Sequence, residues 1–417
     1  MPDLDGTVLE SRALGTDLDS LVTPCGKGPR PAHPRDPKAR PAIGVTLSGG
    51  GFRATFAAVG VLRYLADAGL LANLRYASSV SGGSVANAMA ATCWSKVRDA
   101  GYSSTAVDTH VIAPLAEQIV EASVRAEVIR NLWRAAATKN RTDVLAWAFD
   151  KWFFHGLELE ALDDECRWIF NAANLATGVR FAFERDVLGD YVTGMAATKG
   201  TGKRVAEAVA ASAAVPGAFA PMRIRGVDFP CGRTSTPRLL DGGAYDNTGL
   251  EALDDDHYRN VFTVSINAGG VLVTGGYGKV PIVRELARAN SLLYRQSTAL
   301  RTRWMVERFK AGAGTPMEDE LLSGARRGVL FGLGTSVDAE GAPQEFLDFV
   351  ATHREHRTHH GKDLAFIPTV FNQFERELVE RLVYRGWWLT GATLSRWYPG
   401  FAPLDAGAIP PPVTADH

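Results

Sequence analysis

The patterned part of the chain begins at residues 42–47, a short apolar segment between Pro41 and a glycine run, which predicts a buried strand. Residues 54–69 change period. Val61, Leu62 and Leu65 share one face, Arg63 and Asp67 sit four apart on another, and Gly69 marks a stop, so a helix is expected. Residues 74–80 give a second strand. Residues 84–94 carry no charge before Lys96, which predicts a helix buried on most sides. This β-α-β-α order predicts an α/β fold of three layers, with a mostly parallel central sheet and helices on both faces.

Further along, residues 104–170 have a helical pattern among many charges and read as a helical insertion. Its aromatics Trp147, Phe149, Trp152 and Phe153 are candidates for a lid. Strand signals return at 179–183, 219–224 and 260–266. Residues 281–310 read as a long helix, with Leu286, Leu293, Leu300 and Trp304 spaced by sevens and fours. A late strand is expected at 329–333 and a helical pair at 374–396. Residues 1–41 hold Pro24, Pro29, Pro31, Pro34, Pro37 and Pro41 and read as an extended leader. Residues 406–417 read as a tail, leaving one domain over 42–405.

Composition narrows the function classes. With 45 basic and 46 acidic side chains in 417 residues, the formal charge is −1, which gives no bulk reason to expect a nucleic-acid partner. Cys25, Cys93, Cys166 and Cys231 are scattered and form no CxxC pair, so no zinc site is expected; reduced thiols and a cytoplasmic location are the better reading, although four cysteines could in principle pair. No apolar run is long enough to span a membrane, and the acidic start at Met1-Pro2-Asp3 is unlike a signal peptide, so membrane contact should be peripheral. His353, His356, His359 and His360 alternate with Arg354 and Arg357, which would repel a cation. A solvated face is the better reading, and no metal or organic cofactor is expected. Arg284, Arg288, Arg295, Arg301, Arg303, Arg308 and Lys310 fit a solvated helix face better than a membrane-binding one.

Three small-residue elements carry candidate chemistry. Ser79-Val80-Ser81-Gly82-Gly83-Ser84 follows a strand and opens a helix. Such a turn exposes a serine hydroxyl, and small flanking residues make it sterically feasible. Ser79 stands where a G-x-S-x-G pattern has glycine, so the segment also fits a Gly/Ser-rich helix cap. Gly49, Gly50 and Gly51 form a loop whose N–H groups can close around an oxyanion, hold phosphate, or simply turn the chain. Asp241-Gly242-Gly243 ends an apolar segment. Asp241 is either a base for Ser81 or part of an Asp-Gly turn.

In this order, the three elements resemble the patatin-like phospholipase family. Ser48-Gly49-Gly50-Gly51-Phe52-Arg53-Ala54 and the serine turn resemble its cytosolic phospholipase A branch. Residues 174–183, 210–219, 367–369 and 385–388 extend the likeness to about residues 42–400. The resemblance implies a Ser81–Asp241 dyad without histidine, an oxyanion hole at Gly49, Gly50 and Gly51, and a contact from Arg53 to a lipid phosphate. It implies a lipid acyl hydrolase of phospholipase A or lysophospholipase type acting on a lipid or phospholipid substrate. The residues leave open a Ser-Asp-His esterase using His257 or the 353–360 histidines, an acyltransferase, and a catalytically silent lipid-binding protein. They do not indicate an oligomeric state.

Overall fold

The computed structural model describes residues 41–134, 140–231, 236–270, 281–353, 361–402 and 404. The leader before Pro41, the tail, Cys25 and His356, His359 and His360 lie outside them. The described strands join in one sheet: β1 (Ile43–Leu47), β2 (Leu74–Val80), β3 (Arg167–Asn174), β4 (Arg180–Phe183), β5 (Val187–Asp190), β6 (Gly194–Ala197), β7 (Met222–Arg223), β8 (Arg238–Asp241), β9 (Phe262–Asn267) and β10 (Arg327–Gly332).

The order β10-β9-β1-β2-β3 is parallel throughout, and the sheet continues through antiparallel β4, β5 and β6. β8 pairs antiparallel with β3 and with β7. All of β1 and β2 is buried, and apart from Arg75 and Tyr76 both are built of apolar or small residues. Hydroxyls inside this layer are satisfied locally: Thr46 donates to Ser265 at 2.6 Å, and Ser78 to the Gly249 carbonyl at 2.7 Å.

The main helices are α1 (Gly51–Asp67), α2 (Gly82–Asp99), α3 (Arg141–Phe149), α4 (Val205–Ser212), α5 (Pro281–Gly312), α6 (Gln344–Thr352) and α7 (Arg376–Trp397). The large core lies between one sheet face and α1, α2, α4 and α7. On the other face Tyr76, Ile169 and Ala182 pack against Leu253, Tyr258 and Val261, and Met305 and Phe309 of α5 pack with Leu250. The α/β reading therefore holds, with helices on both faces of a mixed sheet whose central strands are parallel.

The α1–α7 crossing is tight because both helices carry glycine there. A Cβ added at Gly60 would lie 2.0 Å from the Val383 carbonyl oxygen, and one at Gly386 would lie 2.0 Å from that of Ala57. The expected Arg63–Asp67 pair is buried at this contact. Arg63 also holds Asp108 at 2.8 Å, and Asp67 accepts the Trp387 indole N–H at 2.7 Å.

Several expectations need adjusting. The helical stretch read over 104–170 ends early, because β3 starts at Arg167 and fills the place beside β2. Phe149, Phe153 and Phe154 from that stretch are core residues. The 219–224 signal yields only Met222–Arg223, and the final helical pair is one helix. Along α5, Leu300 is 60% and Trp304 is 49% exposed, while Arg301 pairs with Glu251 at 2.6 Å and Arg308 pairs with Asp254. Met305 and Phe309 mark the buried face there. Cys93 and Cys166 are free buried thiols, but Cys231 is disulfide-bonded, so the reduced-thiol reading fails for Cys231.

Gly386→Ala should lower unfolding stability by about 1–3 kcal/mol, since the new methyl meets backbone that no rotamer change can move. Denaturant unfolding of the variant checks this. An unchanged midpoint would mean that α1 and α7 do not touch here.

Candidate active site

Ser81 sits between the end of β2 and the first turn of α2 with φ 50° and ψ −118°, a conformation that costs a non-glycine residue free energy. The neighbouring glycines allow it. A Cβ at Gly82 would lie 2.0 Å from the Gly51 carbonyl oxygen, and one at Gly83 would lie 2.3 Å from that of Leu47. The serine turn and the glycine loop are therefore in backbone contact. Only residues without side chains permit that approach.

Hydrogen bonds hold the strained turn. The Ser81 N–H donates to the Ser212 hydroxyl at 2.9 Å, and that hydroxyl donates to the Asn171 carbonyl at 2.6 Å. The Asn171 amide donates to the Ser79 carbonyl at 2.9 Å. Ser79 itself receives the Asn87 amide at 2.8 Å and donates to the Ile169 carbonyl at 3.1 Å. Ser79 lies inside β2, and its hydroxyl is part of the brace. That accounts for serine where the simple motif has glycine.

The Ser81 hydroxyl, on a residue only 2% exposed, faces the carboxylate of Asp241 and helps to hold it ionised. Asp241 ends β8 opposite Ala172, and its carboxylate also accepts the Gly243 N–H at 2.8 Å. Burial pushes the Asp241 carboxyl up to about 6, and the bonds from Ser81 and Gly243 oppose the rise. A carboxylate of that basicity is ionised at neutral pH yet accepts a proton more readily than an exposed one.

The glycine loop divides by role. The Gly49 N–H donates to the Asn247 carbonyl at 3.0 Å, so it is not free to meet an oxyanion and its place in the expected hole is withdrawn. Gly49 is needed for space, because a Cβ there would lie 2.3 Å from Asn247 Oδ1 and 3.1 Å from Ser81 Cβ. Gly50 and Gly51, with φ 152° and 62°, have N–H groups that make no hydrogen bond among the described residues. Gly51 lies against Gly82 of the serine turn.

Arg53 is 1% exposed. Its guanidinium donates to the Ala268 carbonyl at 2.9 Å, to the Ile367 carbonyl, and to the Thr369 hydroxyl at 3.2 Å. No carboxylate among the described residues pairs with it, and burial pulls its pKa down to about 10. Tyr294 of α5 stands against the Asp-Gly-Gly turn, its phenol pushed up by burial and then by the charge of Asp241. His257 lies in the turn before β9, edge-on to Tyr258. His353 packs on Phe349 and Trp387. Neither of these two described histidines touches the dyad, and the described residues hold no cluster of metal-ligating side chains.

The comparisons with known proteins now bear on this arrangement. The patatin-like phospholipase family matches residues 45–254, a little over half of the chain. The chain belongs to this family. That match spans the glycine loop, Arg53, the serine turn and Asp241, but not Ala268, Ile367 and Thr369, to which Arg53 donates. No curated protein matches the chain. Among solved structures, human GIVD cytosolic phospholipase A2 aligns at 15% identity and a TM-score of 0.50, covering 85% of this chain and 61% of that one. This chain thus spans about three-fifths of the human protein, and at that identity the likeness concerns the fold. VipD from Legionella pneumophila aligns at 15% identity and a TM-score of 0.32, covering 78% of this chain and 66% of that one.

Ser81, Gly50, Gly51 and Asp241 thus lie together in the fold. Sequence reasoning missed Asn171, Ser212, Asn247 and Tyr294. The signal for Ser212 was a lone hydroxyl in an alanine-rich helix. That for Asn247 was an amide six residues past Asp241. Tyr294 had none, because α5 meets the site only through the fold.

Two substitutions test the strain and the burial. Ser81→Gly should stabilise the fold by about 1–3 kcal/mol, because glycine accepts this backbone without cost. Asp241→Asn should stabilise it at pH 8 but not at pH 4. A buried carboxyl with its pKa raised from 3.8 to about 6 binds its proton more tightly folded than unfolded, so its penalty is absent in acid and complete above pH 6, reaching about 3 kcal/mol. Urea unfolding at the two pH values decides, and a pH-independent difference would refute the assignment.

Proposed function

We propose that the chain is a lipid acyl hydrolase of phospholipase A or lysophospholipase type, cleaving fatty acyl esters through Ser81 and Asp241. The observation that carries this is a serine hydroxyl in a strained strand-to-helix turn, facing a buried carboxylate and beside two uncommitted N–H groups. Asp241 takes the hydroxyl proton as Ser81 Oγ attacks the ester carbonyl. The N–H groups of Gly50 and Gly51 stabilise the resulting oxyanion, a contribution of roughly a hundred- to a thousandfold in rate per donor. Asp241 then protonates the departing alkoxide, leaving an acyl-enzyme. Water attacks that ester, with Asp241 again as base, and releases the fatty acid.

The geometry favours a positioning role for Arg53. It ties the glycine loop to the Ala268 and Ile367 carbonyls and adds positive potential behind it. Direct contact between Arg53 and a lipid phosphate would require the 367–370 segment to move. A substrate held in a lipid surface makes peripheral membrane contact part of the proposal. No helix among the described residues is long and apolar enough to cross a membrane. A Ser-Asp-His esterase gains no support from His257 or His353.

A fluorophosphonate probe should label the wild type at Ser81 and leave Ser81→Ala unlabelled. Equal labelling of both would end the nucleophile assignment. The pH profile of kcat/KM should rise through about 6 and stay flat above it, with about a tenth of the plateau remaining one unit below the midpoint. A profile flat from pH 5 to 8 would remove Asp241 as the base.

A further inference from the structure

A cavity of about 470 Å³ opens where β9 and β10 end, against one face of α5. This is the carboxyl edge of the parallel strands. Strand order switches sides at β1, with β2 and β3 on one side and β9 and β10 on the other, and open α/β sheets hold ligands beside such a switch. The size is within the range of small-molecule sites.

Its chemistry is one-sided. Arg295 and Arg303 stand at its wall two helical turns apart, with Thr298 and Thr302 between them on the same face. No Asp or Glu lines it. Both threonine hydroxyls are buried and make no hydrogen bond. The neighbouring face of α5 is the internal comparison. There Arg301 is neutralised by Glu251 and Arg308 by Asp254, while Arg295 and Arg303 have no carboxylate partner among the described residues. Two unpaired guanidinium groups and two orphaned hydroxyls in one concavity suit a phosphate, which accepts many hydrogen bonds and carries the opposite charge.

Two lining residues of the cavity reach toward Ser81 and Asp241. Asn247 lines it and donates its amide to the Gly49 carbonyl at 3.4 Å, beside Ser81. Tyr294 lines it and faces Asp241. Arg53 is enclosed behind the glycine loop, so the exposed arginines of α5 are better placed to meet an incoming anion.

We propose that this cavity holds the phosphate of the substrate's head group, through Arg295, Arg303, Thr298 and Thr302, while the acyl ester lies at Ser81. The assignment rests on the hydrolase reading, and it makes a phosphate-bearing glycerolipid the preferred substrate class.

The test compares a short-chain acylglycerol phosphate with the matching uncharged monoacylglycerol, both below their micelle concentrations. In R295Q/R303Q the ratio of kcat/KM for the charged over the uncharged ester should fall at least about tenfold. T298V/T302V, which preserves volume and charge, should lower it in the same direction. Glycerol phosphate binding, measured by calorimetry in the Ser81→Ala background, should weaken at least about tenfold when R295Q/R303Q is added. Hydrolysis of both esters with an unchanged ratio would overturn the pocket and leave the hydrolase reading standing. Arginine-dependent binding by a chain that hydrolyses neither ester would do the reverse. Inorganic phosphate should compete with the charged ester. If instead it stimulates hydrolysis of the uncharged one, the pocket serves a free-phosphate effector and the head-group assignment falls.

Discussion

The contact between two stretches of bare backbone, Gly82-Gly83 against Leu47 to Gly51, is the constraint on which the rest depends. It places the start of α2 beside the loop that begins α1. It also forces Ser81 into a left-handed conformation that an ordinary helix entry would not need. Everything around the turn is arranged to hold that geometry. Ser212, Asn171, Asn87 and Ser79 brace one side, and Asn247 braces the other. Strain of this kind persists only where neighbours over-determine it. Here the neighbours come from four separate parts of the chain.

The electrostatics follow from the same crowding. Packing Asp241 against Gly243 and β3 removes it from water, and the loss of hydration raises its affinity for a proton. The carboxylate that faces the serine hydroxyl is thus more basic than an exposed one. Arg53, also removed from water, is met by carbonyl dipoles and not by a carboxylate. A carboxylate there would cancel the positive potential behind the glycine loop. Carbonyls fix the side chain and leave its charge in place.

The strands β1, β2 and β9, the helices α1 and α2, and the set Ser81, Gly50, Gly51 and Asp241 were legible because they are short-range patterns. An apolar run, a glycine cluster or an Asp-Gly turn signals itself locally. The misreadings have a common cause. β3 was read as the end of a helical region because its burial comes from β2, β4 and β8 and not from its own period. On α5, Leu300 and Trp304 resembled a core stripe, but Glu251 and Asp254 draw Arg301 and Arg308 inward and turn those apolar residues outward. Gly49 matched the family's oxyanion pattern, yet only the placement of Asn247 showed that its N–H was already committed. In each case the deciding partner is distant in sequence.

The tether on Arg53 joins residues 314 and 316 positions apart, because the loop that α1 begins is held by carbonyl and hydroxyl groups just before α7. During synthesis, the serine turn, the glycine loop and the aspartate all emerge well before that tether. A nascent chain on the ribosome would therefore carry Ser81, Gly50, Gly51 and Asp241 without the strut that sets the loop, which forms only after residues 367–369 have been made.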